Sequence, residues 1–284
     1  MLIKLKQNLK NLVLSKDKTK FCKRFNLLNK ILKKYQIKLS VVTVTRKNGQ
    51  PIELFKITDT EKNSLHIARA SRLHIYRNGI RERINNLIYS YSIEDISFTS
   101  DDLIIDCGAN IGEFSWYLQN KHNLQSICVE PEENEFNAQN CNLNKSTTNM
   151  YPYLLWENTG YVDFYPDNNT GDSSAFPAQE NLVPVQKQAI SLDDLLKNDS
   201  LFTKKKQIKL LKLEAEGAEP EIIKGASNTL PFIKYIVADC GPERGLSKET
   251  TLVEVCNLLD AKNFKLIKFN PSRTIVLFEN QSLT

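Results

Sequence analysis

One turn constrains the fold of this chain more than any other feature. An apolar run ends there in an acid that two spaced glycines follow, D-C-G-A-N-I-G at residues 106–112. Residues 103–105 before the turn predict a short buried strand, and residues 114–118 after it predict the start of a helix. Glycine has no Cβ, so the backbone of such a turn can come close to a ligand. The turn therefore predicts one half of a nucleotide-like binding site.

A second apolar strand, at residues 126–129, ends in Glu130. A carboxylate at the tip of a neighbouring strand is well placed to accept hydrogen bonds from ribose hydroxyls. The glycine spacing differs from the dinucleotide fingerprint G-x-G-x-x-G, and a carboxylate at Asp106 would repel a pyrophosphate. A carboxylate at this position instead suits a cationic amino-acid end and a sulfonium, two groups that S-adenosylmethionine combines in one molecule. The alternative is an ordinary tight turn with surface acids.

Length and composition limit the class of protein. The 284 residues are enough for one large domain with an appendage, and 41% of them are hydrophobic, which supports a core. No apolar run approaches the ~20 residues that span a bilayer, and residues 1–15 lack the pattern of a signal peptide. The six cysteines show no C-x-x-C spacing, so we expect neither disulfides nor a zinc site, and a cytoplasmic setting.

The leading segment, residues 1–40, is strongly basic. It holds eleven lysines and Arg24 against Asp17 alone, a charge of about +11, whereas the whole chain carries +5. Such a segment favours an anionic partner, either a membrane surface or a nucleic acid. The alternative is a solvated amphipathic helix pair, because four apolar residues recur at helical spacing: Phe21, Phe25, Leu28 and Leu32.

Periodicity and turn residues predict the order of the elements. Residues 41–58 predict a hairpin that turns at Asn48-Gly49, and residues 78–93 predict a helix. From residue 101 onward, the pattern alternates between strands (103–105, 126–129, 151–156, 161–165, 183–190, 208–213 and 235–238) and helices (from 114, 132–142, from 191 and 252–259). Residues 264–278 predict two antiparallel closing strands.

We therefore expect an α/β fold whose core is a doubly wound, Rossmann-like and mostly parallel sheet with a closing antiparallel hairpin. This domain would occupy residues 71–284, and residues 1–70 would form a basic helical and hairpin extension. Ligands of such sheets bind at the carboxyl ends of the strands, near the reversal of strand order. Five acids fall at predicted strand ends: Asp106, Glu130, Glu214, Glu216 and Asp239.

Four runs carry a resemblance to a known family: D-C-G-A-N-I-G-E at residues 106–113, V-E-P at 129–131, S-L-D-D-L at 191–195, and K-L-E-A-E-G-A-E at 212–219. In this order they resemble the signatures of FkbM-type methyltransferases, over residues 72–280. The family usually has aspartate where this chain has Glu214. The extra methylene is expected to carry that carboxylate one bond further into the site.

The resemblance implies methyl transfer from S-adenosylmethionine, most often to a hydroxyl of a sugar, a glycolipid or a natural product. Marks of other acceptor chemistries are missing from the sequence. There is no N-P-P-Y or D-P-P-Y run to hold a planar amino group. The similar run N-P-S-R at residues 270–273 does not count, because it lies in the late hairpin. There is also no Pro-Cys pair to attack a pyrimidine ring. Oxygen is therefore favoured as the acceptor atom.

Roles follow from these placements. Residues expected to bind the donor are Asp106, Gly108, Ala109, Asn110, Gly112, Glu130 and Glu214. A hydroxyl must lose its proton to a base or a metal, and Glu216 and Asp239 are the candidate catalytic residues. In the alternative, Glu214, Glu216 and Asp239 hold Mg²⁺, a cation that takes oxygen ligands. Glu216 has a further alternative role, stabilising the dipole of the helix after it.

The leading interpretation is an O-methyltransferase of a small-molecule or glycan acceptor. One rival is an RNA methyltransferase that uses the basic segment as an RNA-binding arm. The segment has few interleaved aromatic residues and the sequence has no RNA-binding motif, which both disfavour this alternative. Another rival is a non-catalytic binding module on the same fold. Residues 1–40 would bring the enzyme to an anionic membrane surface at the cytoplasmic face.

Overall fold

The computed structural model of the chain describes residues 36–46, 48–167, 173–180 and 182–283, together with residues 26, 29, 30, 32 and 33. Its strands, in chain order, are β1 (Lys38–Thr45), β2 (Pro51–Thr58), β3 (Ser64–Ile67), β4 (Leu103–Cys107), β5 (Gln125–Val129), β6 (Thr148–Tyr151), β7 (Leu154–Leu155), β8 (Gly160–Phe164), β9 (Val185–Ile190), β10 (Ile208–Leu213), β11 (Ile233–Asp239), β12 (Pro242–Arg244), β13 (Glu249–Thr250), β14 (Phe264–Asn270) and β15 (Ile275–Asn280). We number the helices from residue 80: α1 (Ile80–Ser90), α2 (Glu113–His122), α3 (Glu133–Asn142), α4 (Leu192–Lys197), α5 (Ser200–Lys205), α6 (Glu219–Lys224) and α7 (Leu252–Asp260). Short 3₁₀ turns occupy Ala70–Tyr76, Leu230–Phe232 and Gln281–Leu283.

Seven strands form the central sheet, in the order β14-β15-β11-β10-β4-β5-β6. The pairs from β11 to β6 are parallel, whereas β15 runs antiparallel to both β11 and β14. Strands β5 and β6, which follow β4 in the chain, lie on one side of β4. The later strands β10 and β11 lie on its other side. The strand order therefore reverses between β4 and β10. The expected mostly parallel sheet with a closing antiparallel hairpin is confirmed.

Both faces of this sheet are covered, which explains its continuous apolar strands. Every residue of β4 is buried. Because side chains alternate across a strand, Ile104 packs in one apolar cluster and Ile105 in the other. Helices α1 and α2 cover the first face, and α4, α6 and α7 contribute to the second.

Strands β1 to β3 form a separate antiparallel sheet. The predicted hairpin is confirmed, with Lys38 opposite Thr58 and a turn at which Gly49 has a φ of +81°. Buried residues of this sheet, such as Leu54 and Leu65, join the same cluster as Ile104 of the central sheet. The N-terminal sheet thus shares a core with the α/β fold, and the boundary near residue 70 stays a prediction.

Most of the basic segment lies outside the described residues, including Phe21, Phe25 and Leu28 of the predicted helix pair. Leu32 is described and is buried in the cluster beneath the N-terminal sheet. Within the described ranges, no helix combines the length and the apolar character needed to cross a bilayer. Five cysteines fall in these ranges, and all are free: Cys107, Cys128, Cys141, Cys240 and Cys256.

The prediction of one strand over residues 151–156 is wrong. Tyr151 ends β6 in the central sheet, and β7 starts at Leu154 in a different sheet, with the order β7-β9-β8. Pro152 lies between them and has no N–H to donate to a strand partner, so pairing stops there. The small sheet lies at the carboxyl ends of the central strands. Residues 168–172 lie outside the described part of the chain.

Candidate functional site

The glycine turn after β4 has three residues in the left-handed region. The φ angles are +66° at Gly108, +51° at Asn110 and +78° at Gly112. A Cβ at Gly108 would lie 1.8 Å from the backbone oxygen of Glu214, so the turn packs directly on the end of β10. At Gly112 a Cβ would lie 2.9 Å from a methyl group of Leu143. Both glycines are therefore required by protein packing as well as by backbone conformation.

Glu130 lies at the tip of β5, beside the glycine turn. Its carboxylate accepts hydrogen bonds from the backbone N–H of Asn110 at 2.7 Å and of Glu132 at 2.8 Å. Burial raises the pKa of the Glu130 carboxyl to about 8, and Glu135 adds to the effect. The two N–H donors oppose this rise because they favour the charged form. The two N–H donors thus fix the direction of the Glu130 carboxyl group, and its raised pKa allows it to take up a proton near neutral pH.

Asp106 is fully buried beneath the turn. Its Oδ1 lies 2.9 Å from Nζ of Lys212, and its Oδ2 accepts a hydrogen bond from the Ser115 hydroxyl at 2.8 Å. The Lys212 ammonium also donates to the backbone oxygen of Gly108 at 3.1 Å. Burial alone would lower the pKa of Lys212, but the neighbouring acids, Asp106 first, outweigh it and raise that pKa. Asp106 therefore holds Lys212 and the turn together, and its direct contact with a donor stays a prediction.

Glu214 follows β10 and is surrounded by donors. The Tyr91 hydroxyl donates to its Oε2, and Arg273 donates to its Oε1 at 3.0 Å. Lys212 Nζ lies 3.3 Å from Oε2. Burial alone would raise the pKa of Glu214, but Lys212 and Arg273 lower it to about 2. The longer side chain, which departs from the family's aspartate, is thus a permanent anion within reach of Tyr91 and Arg273.

The two candidate catalytic acids differ in their surroundings. Asp239, at the end of β11, is 2% exposed, accepts a hydrogen bond from Arg273 and receives a second from the Gly241 N–H at 3.3 Å. Burial raises its pKa, which Arg273 opposes. Glu216 is half-buried with a φ of +52°, and its backbone oxygen accepts a hydrogen bond from the Ser174 hydroxyl at 2.7 Å. Asp239 and Glu214 are therefore joined through Arg273, whereas Glu216 is held through its backbone oxygen by Ser174.

A cavity opens at these strand ends. Its wall includes the turn residues Gly108, Ala109 and Asn110 and the carboxylates of Glu130 and Glu214, but not Asp106 or Asp239. A second cavity adjoins it. The two share five wall residues: Arg72, Arg83, Ser174, Glu214 and Glu216. The site therefore has two adjoining compartments.

The first compartment combines an apolar wall with directed carboxylates. Leu154, Leu155 and Phe164 supply the apolar side. This set would accommodate an adenine ring against the apolar wall, a ribose diol at Glu130 and a cationic end toward Glu214. The residues present thus fit S-adenosylmethionine. Within the described part of the chain, no three His, Cys, Asp or Glu side chains are grouped so as to hold a metal ion.

Contacts of the site join residues far apart in the sequence, and one of these residues, Arg273, had no sequence signal of its own. The Glu113 carboxylate, on the first compartment's wall, accepts hydrogen bonds from Tyr76 and from Arg83 at 2.6 Å. Arg273 belongs to the late hairpin whose N-P-S-R run matches no acceptor motif, yet it reaches Glu214 and Asp239. Pairs so distant in sequence leave no local pattern.

The sheet order, the glycine turn after the first parallel strand and the acid at the tip of the second define a Rossmann-like methyltransferase. The chain belongs to the FkbM methyltransferase family, whose domain matches it over residues 106–266.

Three relatives are similar to the chain. It is 23% identical to the 2-O-methyltransferase NoeI of Sinorhizobium fredii over 226 residues, which cover 72% of this chain and 90% of that protein. It is 22% identical to Methyltransferase 1 of Beauveria bassiana over 222 residues, 70% of this chain and 87% of that protein. The hexuronic acid methyltransferase AglP of Haloferax volcanii is 23% identical over 141 residues, 49% of this chain and 56% of that protein.

Proposed function

We propose that the chain is an S-adenosylmethionine-dependent O-methyltransferase that acts on a hydroxyl of a sugar, a glycan or glycolipid, or a natural product. One observation carries the proposal: in a chain of this family, the Glu130 carboxylate is fixed by two N–H donors on the wall of a cavity beside the glycine turn. The relatives named as a 2-O-methyltransferase and a hexuronic acid methyltransferase support oxygen and a sugar as the acceptor.

The second compartment supports a polar acceptor. Arg72, Lys248 and Arg273 supply cationic groups to its wall, and Glu216 and Glu243 supply carboxylates. Side chains of both charges offer hydrogen-bond donors and acceptors to a hydroxyl-rich molecule. Because this compartment adjoins the first through shared wall residues, an acceptor bound in it would face the donor.

Methyl transfer to oxygen is an in-line displacement, so positioning the two reactants accounts for much of the rate. When bound, the donor supplies an electrophilic methyl group on a sulfonium. Glu130 would hold the ribose, and the permanent anion of Glu214 would favour a cationic centre nearby. Of the two acids predicted from the sequence to take the hydroxyl proton, Glu216 lines both compartments, whereas Asp239 lines neither and is engaged by Arg273.

The test uses the full chain, methyl-labelled donor, and cell extract split into glycan, lipid and RNA fractions. We expect label in the glycan or lipid fraction, and much less with the E130Q variant. Label in RNA alone would favour the nucleic-acid alternative. Donor binding without label in any fraction would favour a non-catalytic binding module. Repeating the assay with a chelator tests Mg²⁺, and loss of activity restored by added Mg²⁺ would support a metal.

We also propose that residues 1–40 hold the protein reversibly at the cytoplasmic, anionic surface of a membrane. Each basic residue near such a surface contributes roughly 1 kcal/mol, less at high salt. Sedimentation with anionic and neutral vesicles should show binding to the anionic ones only, and deletion of residues 1–25, which leaves the buried Leu32 in place, should weaken it strongly. Equal binding to both kinds of vesicle would contradict this role.

A further inference from the structure

The acids around the second compartment are unequally available to take a proton. Glu214 accepts hydrogen bonds from Tyr91 and Arg273 and is a permanent anion. Asp239 is buried, accepts hydrogen bonds at both carboxylate oxygens and does not line the compartment. A base must reach the hydroxyl proton, and its carboxylate must not be held in the charged form by a cationic partner. Neither acid meets both conditions.

Glu243 meets both. It lies in β12, directly after the end of β11, is half-buried, and lines the second compartment. A Cβ added at Gly241 would lie 3.3 Å from its Oε1 and 3.4 Å from Oδ1 of Asp239, so the two carboxylates border the same space. Within the described part of the chain, the Glu243 carboxylate makes no hydrogen bond or ion pair.

We propose that Glu243 is the general base that deprotonates the acceptor hydroxyl. This assignment rests on the proposed function. The hydroxyl proton passes to an Oε of Glu243 while the acceptor oxygen forms a bond to the methyl carbon. The carbon–sulfur bond breaks, and its electron pair stays on sulfur, giving the neutral sulfide. Glu243, now neutral, returns the proton to solvent. Charge is conserved, because one cationic donor and one carboxylate become two neutral groups.

The surroundings of Glu243 suit this role. Burial raises its pKa to about 8, and the nearby carboxylates of Asp239, Glu219 and Glu214 add to the rise, against Arg273. A base is most effective when its pKa lies near the working pH. The charged groups that face it from the packed elements and the compartment wall are Asp239, Glu219, Glu214, Glu216, Arg273, Arg72, Arg83 and Lys248.

The test compares four variants: E243Q, E243D, E216Q and the control E249Q, which alters an exposed acid of the neighbouring strand β13. With the labelled donor and the extract fraction that the wild type methylates, we expect E243Q to lose activity by roughly 10²–10⁴-fold. S-adenosylhomocysteine affinity, measured by calorimetry, should stay unchanged. E243D should recover part of the activity, and the wild-type rate should rise with pH through about 8. Full activity in E243Q, or its loss in E216Q alone, would overturn the proposal.

A second readout needs no acceptor. Glu243 has a folded-state pKa above its unfolded one, so its contribution to stability is lost as pH rises toward and through about 8. E243Q should therefore flatten the pH dependence of the unfolding free energy between about pH 4.5 and 8, and E249Q should not. An unchanged slope in E243Q would show that Glu243 takes up no proton in this range and would count against its role as the base. Failure of the wild type to bind S-adenosylhomocysteine would instead count against the proposed function.

Discussion

Lys212 and Asp106 are direct neighbours in the parallel register of β10 and β4, and their Nζ and Oδ1 atoms lie 2.9 Å apart in the buried interior. Lys212 also donates to the backbone of the glycine turn, so one ion pair joins the sheet to the loop that borders the cavity. Removing one partner of such a pair leaves an unpaired buried charge, which is strongly destabilising.

We predict that K212M, which leaves the buried Asp106 charge unpaired, lowers the unfolding free energy by about 3–5 kcal/mol. D106N should cost less, because Lys212 keeps the Glu214 carboxylate at 3.3 Å. The double variant should lose less than the sum of the two, because neither charge is then left alone. Urea denaturation measures all three. The control is K268M, which removes an exposed pair with Glu94 and Asp95 and should cost at most about 1 kcal/mol. Additive losses in the double variant would contradict this coupling.

The close approach at Gly108 gives a second prediction. G108A would place a methyl group against the backbone oxygen of Glu214 at a φ of +66°, so it should destabilise by more than about 2 kcal/mol. G160A is the matched control, since nothing lies within 4 Å of a Cβ there. Urea unfolding compares the two. Equal stability of both variants would show that the turn relaxes around the added methyl group.

Glu130 gives a prediction on pH and stability. Its folded-state pKa of about 8 lies above the ordinary value of 4.5, so the folded state holds a proton that the unfolded state has lost. The contribution is present in full below about pH 4.5 and is lost as pH rises through about 8. E130Q should therefore gain stability relative to the wild type between pH 5 and pH 9. Thermal unfolding across this range measures it, and a constant difference would contradict the burial of an ionisable Glu130.

The sequence predicted the elements whose signals are local. Mainly apolar runs marked β4, β5, β10 and most of β11, because strands covered on both faces need few polar residues. Ser191 was predicted as a helix cap, and its hydroxyl accepts a hydrogen bond from the Asp194 N–H at 3.1 Å. The hairpin turn at Asn48-Gly49 was predicted from its residue types alone. Such features depend on neighbours within a few residues.

The site depends on contacts between distant residues, which a single sequence does not encode locally. Tyr91 reaches Glu214 across 123 positions, and Arg273 reaches it across 59. Glu243 follows the predicted strand end at Asp239 by a few residues, without a motif of its own. Lys212 did leave a signal: it begins the K-L-E-A-E-G-A-E run and lies in the strand that pairs with the strand carrying Asp106.

The central claim is that the cavity beside Glu130 binds S-adenosylmethionine, and calorimetric titration of the full chain tests it most directly. We expect the wild type to bind S-adenosylmethionine and S-adenosylhomocysteine but not NAD. At pH 9, where Glu130 is ionised, E130Q should bind both more weakly, by about 1.5–3 kcal/mol, because a charged acceptor for the ribose hydroxyls is gone. K268M serves as the control and should bind like the wild type. Absence of binding of either ligand by the wild type, or tight binding of NAD in their place, would contradict the account.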